Sequence, residues 1–212
     1  MDLSNPYGFS KPPARILLCV PLLFFFTWLL HRYSGFYFAY QYALAVVLTL
    51  LVGMYFDKNA ISRNRLSGPR SIPVDRISIF ISPIAVTLIL LVGISYIWKT
   101  SVFYPLYSSQ GGLARLELFP LLVIVVVPMT EILFRGFFQF NISYMMGKNA
   151  GLVITTALNA AVFYFAVINF VGFVAIIALA GYLSYLYFKY ESVMLTILSH
   201  EVLIMSVLIF RF

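Results

Sequence analysis

The sequence predicts an all-α polytopic membrane protein with about seven transmembrane helices. Three observations point there. The chain has 212 residues, 62% of them hydrophobic and only 10% charged, with a mean hydropathy of +0.97. A soluble domain usually carries about 25% charged residues, and a water-soluble core of this size has no room for so much apolar sequence. The apolar residues also fall into runs near the roughly 20 residues that a helix needs to cross a bilayer. Those runs do not alternate: Leu121–Val127 is continuous, whereas barrel strands alternate with period two.

The expected spans, in order, are Ile16–Leu30, Phe36–Phe56, Ile77–Trp98, Leu118–Phe134, Leu152–Ile168, Gly172–Phe188 and Val193–Phe210. Lys11 and Arg15 before the short first span resemble the charged start of a signal peptide. His31-Arg32-Tyr33-Ser34-Gly35 follows it without a small-x-small cleavage pattern, so that span reads as a retained helix. Asn169-Phe170-Val171 forms a tight joint between the fifth and sixth spans, with Asn169 as a turn residue. The whole chain, 1–212, reads as a single membrane domain: three helices and their loops in 1–115, then a core in 116–212. There is no internal repeat.

Seven spans put the termini on opposite sides. The side of the N-terminus then holds Lys11, Arg15, Lys58, Arg63, Arg65, Arg70, Arg76, Arg135, Lys148 and Lys189. The other holds Arg32, Lys99, Arg115 and Arg211. The positive-inside rule makes the N-terminal side cytoplasmic and the C-terminus external. The net charge of +7 thus reports topology and anionic headgroups and implies no nucleic-acid partner. The loop Asp57–Arg76, broken by Gly68-Pro69 and Pro73, reads as a solvated cytoplasmic loop, with docking of an acidic partner as its other use. Cys19 is the single cysteine and forms no internal disulfide.

Charges inside spans cost about 2.5–3.5 kcal/mol on insertion scales, so each needs a reason. Lysine and arginine near helix ends can snorkel. Glu131, His200 and Glu201 are the exceptions. With the fourth span ending at Phe134, Glu131 lies roughly 5–8 Å inside, and His200 and Asn159 lie roughly 10 Å inside, at 1.5 Å of rise per residue. Three polar side chains on three helices at one depth can form a single buried cluster, or packing can turn them to unrelated faces. Glu131 and Arg135 have the four-residue spacing of an ordinary helical ion pair. His200 and Asn159 each have a simple reading as interhelical hydrogen-bond partners. Glu201 points some 100° away from His200 and needs a basic partner or a proton. The 21 phenylalanines and 15 tyrosines read as lipid-facing and interfacial packing.

The stretch Thr130-Glu131-Ile132-Leu133-Phe134-Arg135-Gly136-Phe137-Phe138-Gln139 resembles the first motif of the CAAX-protease and bacteriocin-processing (CPBP, or Abi) membrane family. That motif is two adjacent glutamates, three residues, Arg and Gly. Gly181-Tyr182-Leu183 through Leu186-Tyr187-Phe188-Lys189-Tyr190-Glu191-Ser192-Val193 looks like the stretch before the family's last motif, and His200 falls where that motif has its histidine. The resemblance covers about Leu116 to Phe212, so the last four helices form a CPBP-like core. It implies an intramembrane endopeptidase fold open to the cytosol, in which the first glutamate and two histidines activate water and an asparagine holds the oxyanion. A carboxylate base, neutral imidazoles and a donor for developing charge suit that chemistry.

The sequence departs from the pattern at three places. The first glutamate is Thr130. The middle histidine would fall near Asn159, Phe163 or Val167, and the chain's only other histidine, His31, lies in a loop on the other side. The last asparagine is Ile204. A threonine hydroxyl is no general base, and losing one oxyanion donor alone costs about 10²–10³ in rate. Arg135 would hold the Glu131 carboxylate charged and so blunt it as a base. One histidine and one or two carboxylates fall short of a three-ligand zinc site, so no metal or other cofactor is expected.

Two classes of function follow. The first is a non-catalytic membrane protein that keeps the protease scaffold to bind another membrane protein or guide its assembly. The second is an active endopeptidase acting on a peptide substrate, with Glu131 as base and His200 as helper, supported by Arg135, Thr130, Asn159 and Glu201. Bacteriocin self-immunity follows only from the family name, and transport lacks the paired broken helices it would need. The surroundings implied are the lipid bilayer of a bacterial or archaeal plasma membrane.

Overall fold

The computed structural model describes residues 14–33, 38–56, 121–163 and 170–209. Within them the chain is helical throughout. The third expected span, the loop Asp57–Arg76 and Asn169 lie outside the described residues.

A 3₁₀ turn, Ala14–Leu18, leads into α1, Cys19–Tyr33; α2 is Phe38–Phe56. A long composite helix, α3, covers 121–146, followed by α4, Lys148–Phe163, α5, Phe170–Tyr190, and α6, Val193–Ile209. Two described stretches, Val123–Met146 and Phe173–Tyr190, are long and apolar enough to cross a membrane. Ile16–Leu30, Gln41–Phe56 and Val193–Met205 are shorter apolar helices. His31 belongs to the last turn of α1 and not to a loop.

α3 differs most from expectation. It continues for three turns past Phe134, so Arg135 is an interior residue of the helix and not a cation at its end. Glu131 therefore lies 15 residues before Met146, about 22 Å along a helix axis, and not near the end of its helix. The helix alternates wide π turns (Leu121–Val126, Ile132–Gln139) with α turns (Val127–Glu131, Phe140–Met146). Pro128 sits at the start of the first α segment, where its missing N–H breaks the ladder back into the preceding turn. Gly147 ends the helix at φ 96°, a left-handed conformation that favours glycine, and its N–H donates to Ser143 O at 2.9 Å.

The main core joins α1, α2, α3 and α4 through Cys19, Leu23, Tyr42, Val46, Phe134 and Phe137. α2 passes close to α3 at Gly53, where an added Cβ would come 2.7 Å from the Phe137 ring. α4 runs back along α3, and a Cβ on Gly151 would overlap Ser143 Oγ. α5 and α6 share a second cluster of Leu183, Leu186, Leu195 and Leu203. Tyr187, Val193 and Ile197 tie both to Ile132 and Phe140 of α3. At the Gly147 end, Lys148 Nζ meets Glu191 Oε1 at 2.5 Å across two exposed side chains. The packing leaves α3 central, with every other described helix except α1 contributing to what lies around Glu131.

Candidate functional site

Glu131, Arg135 and Gln139 are four residues apart on α3, so they line one side of it. All three are fully buried, at 0%, 0% and 1% exposure. Charge in such a place requires a partner on each open position. Arg135 Nε stands 3.2 Å from Glu131 Oε2. The other carboxylate oxygen, Oε1, is 2.7 Å from His200 Nδ1 on α6. Because a carboxylate only accepts, the imidazole donates from Nδ1.

The far end of the guanidinium is held by two further helices. Arg135 Nη2 donates to the Ala180 carbonyl of α5 at 3.0 Å. Asn159 of α4, with its amide oxygen turned to the guanidinium, accepts from Nη1 at 2.6 Å and from Nη2 at 3.3 Å. That orientation faces the amide oxygen to donors. One turn further along, Gln139 Nε2 donates to the Ser184 carbonyl at 2.8 Å. Arg135 with Ala180 and Gln139 with Ser184 each advance by four residues, so α3 and α5 run side by side in the same direction. Asn159 opposite Arg135 and Gly151 opposite Ser143 show the reverse sense for α4.

The structure thus brings Glu131, Arg135, Asn159 and His200 into one cluster spanning α3, α4 and α6, and anchored on α5. Of the other sequence candidates, Thr130 is buried beside Glu131 at 1% exposure. Glu201 is half-buried, one helical step of about 100° from His200. Two side chains not singled out from the sequence stand at the cluster. Tyr42 of α2, 1% exposed, lies within interaction range of Thr130, Glu131 and Arg135. Thr196 of α6 approaches Glu131 while donating to Val193 O at 2.8 Å. The four-residue spacing from Arg135 could have flagged Gln139; nothing local flags Tyr42.

Residues 113–203 match the family model of the type II CAAX prenyl endopeptidases, Rce1-like. Over those residues, somewhat less than half of the chain, the sequence is similar to the CAAX-protease family. The match runs from just before α3 through His200 and leaves α1 and α2 outside it. No curated protein and no solved structure gives a significant match. The family is membrane-embedded, which agrees with the two helices able to span a bilayer.

Chemically, the cluster is a closed set of charges. Glu131 and Arg135 cancel, and His200 and Asn159 complete them as hydrogen-bond partners. A general base needs a lone pair that water can reach at about 2.6–3.2 Å. Glu131 has each oxygen engaged and no exposed surface, whereas the His200 side chain is 19% exposed. Among the described residues, no group of three or more His, Cys, Asp or Glu side chains could hold a metal.

Proposed function

We propose that this CAAX-protease-like chain is a non-catalytic membrane scaffold that binds or helps assemble another membrane protein. The observation that carries this reading is the state of Glu131. Its carboxylate is fully buried, with one oxygen on Arg135 and the other on His200, so it acts as an interhelical clamp. Thr130 and Ile204 stand where the family has its base and its oxyanion donor, and neither supplies that chemistry. In this reading the seven spans place the N-terminus in the cytoplasm of a bacterial or archaeal cell, with the C-terminus outside.

A second reading, an endopeptidase using Glu131 and His200, is favoured by one feature. His200 touches Glu131 at 2.7 Å and keeps part of its ring at the surface. The two readings separate in one experiment. The purified protein, reconstituted in liposomes, is incubated with a quenched fluorogenic peptide ending in a prenylated CAAX sequence, beside Glu131→Gln. The scaffold reading expects equal, background cleavage from both and a lower melting temperature for the variant. Cleavage by the native protein that Glu131→Gln abolishes, at unchanged melting temperature, sinks it.

A further inference from the structure

The family segment does not enclose its own site. α3, α4, α5 and α6 supply Arg135, Asn159, the Ala180 carbonyl and His200, and a further side of the cluster is covered by α2, which lies outside residues 113–203. Tyr42 of α2 reaches it. Its side chain is buried, packs within the core of Leu133, Phe134, Phe137 and Phe138, and hydrogen-bonds Thr130, the neighbour of Glu131. On its other side the ring lies 4.9 Å from the Phe163 ring of α4, tilted by 50°. That wedge between α3 and α4 is held in place eleven residues along α2, where Gly53 rests against Phe137. Thr130 occupies the position of the family's first glutamate, so Tyr42 sits beside the atoms that a water or peptide carbonyl would have to approach.

We infer that Tyr42 is the closing residue of the site: the N-terminal helix α2 seals the Glu131 carboxyl by lodging this ring against Thr130 and Phe163. The inference deepens the scaffold reading and rests on it. A ring of this size excludes water and small molecules by its bulk, so the seal depends on the ring more than on its hydroxyl. Removing the ring leaves a cavity that a packed bilayer core fills only in part. The opened site then admits an apolar carboxyl reagent.

The test is labelling of the full-length protein in liposomes with dicyclohexylcarbodiimide, read by peptide mass spectrometry. A carboxylate oxygen adds to the central carbodiimide carbon while a carbodiimide nitrogen takes a proton from water, leaving hydroxide, and the O-acylisourea rearranges to a stable N-acylurea. Half-buried Glu201 is the internal reference in every sample. Native protein and Tyr42→Phe are expected to leave Glu131 unlabelled. Tyr42→Ala is expected to raise Glu131 labelling relative to Glu201 about tenfold, because a local opening suffices. Leu50→Ala removes a buried side chain from the same helix and is expected to leave Glu131 unlabelled. If Tyr42→Ala stays unlabelled, or Leu50→Ala labels equally well, the inference is overturned and the clamp stands. Labelling of Glu131 in the native protein instead overturns the sealed clamp beneath it.

Discussion

Nδ1 of His200 lies 2.7 Å from Oε1 of Glu131, although 69 residues separate them in the chain. That contact ties α3 to α6. With Arg135 on the second oxygen, it accounts for both oxygens of a carboxylate that lipid would otherwise reject.

Breaking the ion pair from one side strands the other charge. Glu131→Gln and Arg135→Met are each expected to destabilise the protein by about 3–5 kcal/mol, because an uncompensated buried charge remains. The double variant Glu131→Gln with Arg135→Met is expected to be closer to native than either single change. Denaturant unfolding in mixed micelles measures all three. A strictly additive double variant would remove the clamp from the argument.

Asn159 carries one end of the same guanidinium. Asn159→Leu keeps the bulk and removes the acceptor, so a loss of about 1–3 kcal/mol is expected. Combined with Arg135→Met, the same change should cost much less. The measurement is a double-mutant thermal unfolding cycle. A coupling near zero would contradict the amide orientation assigned to Asn159.

Gly53 allows α2 to approach α3 over the ring of Phe137. An alanine there would place its Cβ 2.7 Å from the ring, so Gly53→Ala is expected to cost about 1–3 kcal/mol through overpacking. Shortening the opposing side chain with Phe137→Leu should recover part of that loss. Melting temperatures of the two single variants and the double variant test the pairing.

Lys148 and Glu191 offer the contrasting case. Their side chains are 58% and 41% exposed, so Lys148→Ala is expected to change stability by no more than about 1 kcal/mol. Raising the ionic strength should erase whatever difference there is. A large, salt-independent loss would mean that the turn at Glu191 depends on this pair.

Much of this was legible in the chain. Apolar runs marked five of the described helices to within a few residues, because a lipid solvent forces the backbone to bond within itself. The four-residue step from Glu131 to Arg135 announced their pair. The extension of α3 beyond Phe134 was not legible, because Arg135 reads as an edge cation unless its partners are known. In the structure Arg135 and Gln139 are interior because Ala180 and Ser184 of α5 offer carbonyls at matching spacing.

By itself the sequence determined that the chain is helical, that lipid is the solvent for its apolar runs, and that Glu131 and His200 need partners. Those are matters of composition and local spacing, which the energetics of burial act on directly. Only the tertiary structure decided that His200, Asn159 and the Ala180 carbonyl are those partners, and that Tyr42 stands over them. Helix periodicity sets which residues share a face but not which faces meet, since that depends on packing between segments far apart in the chain.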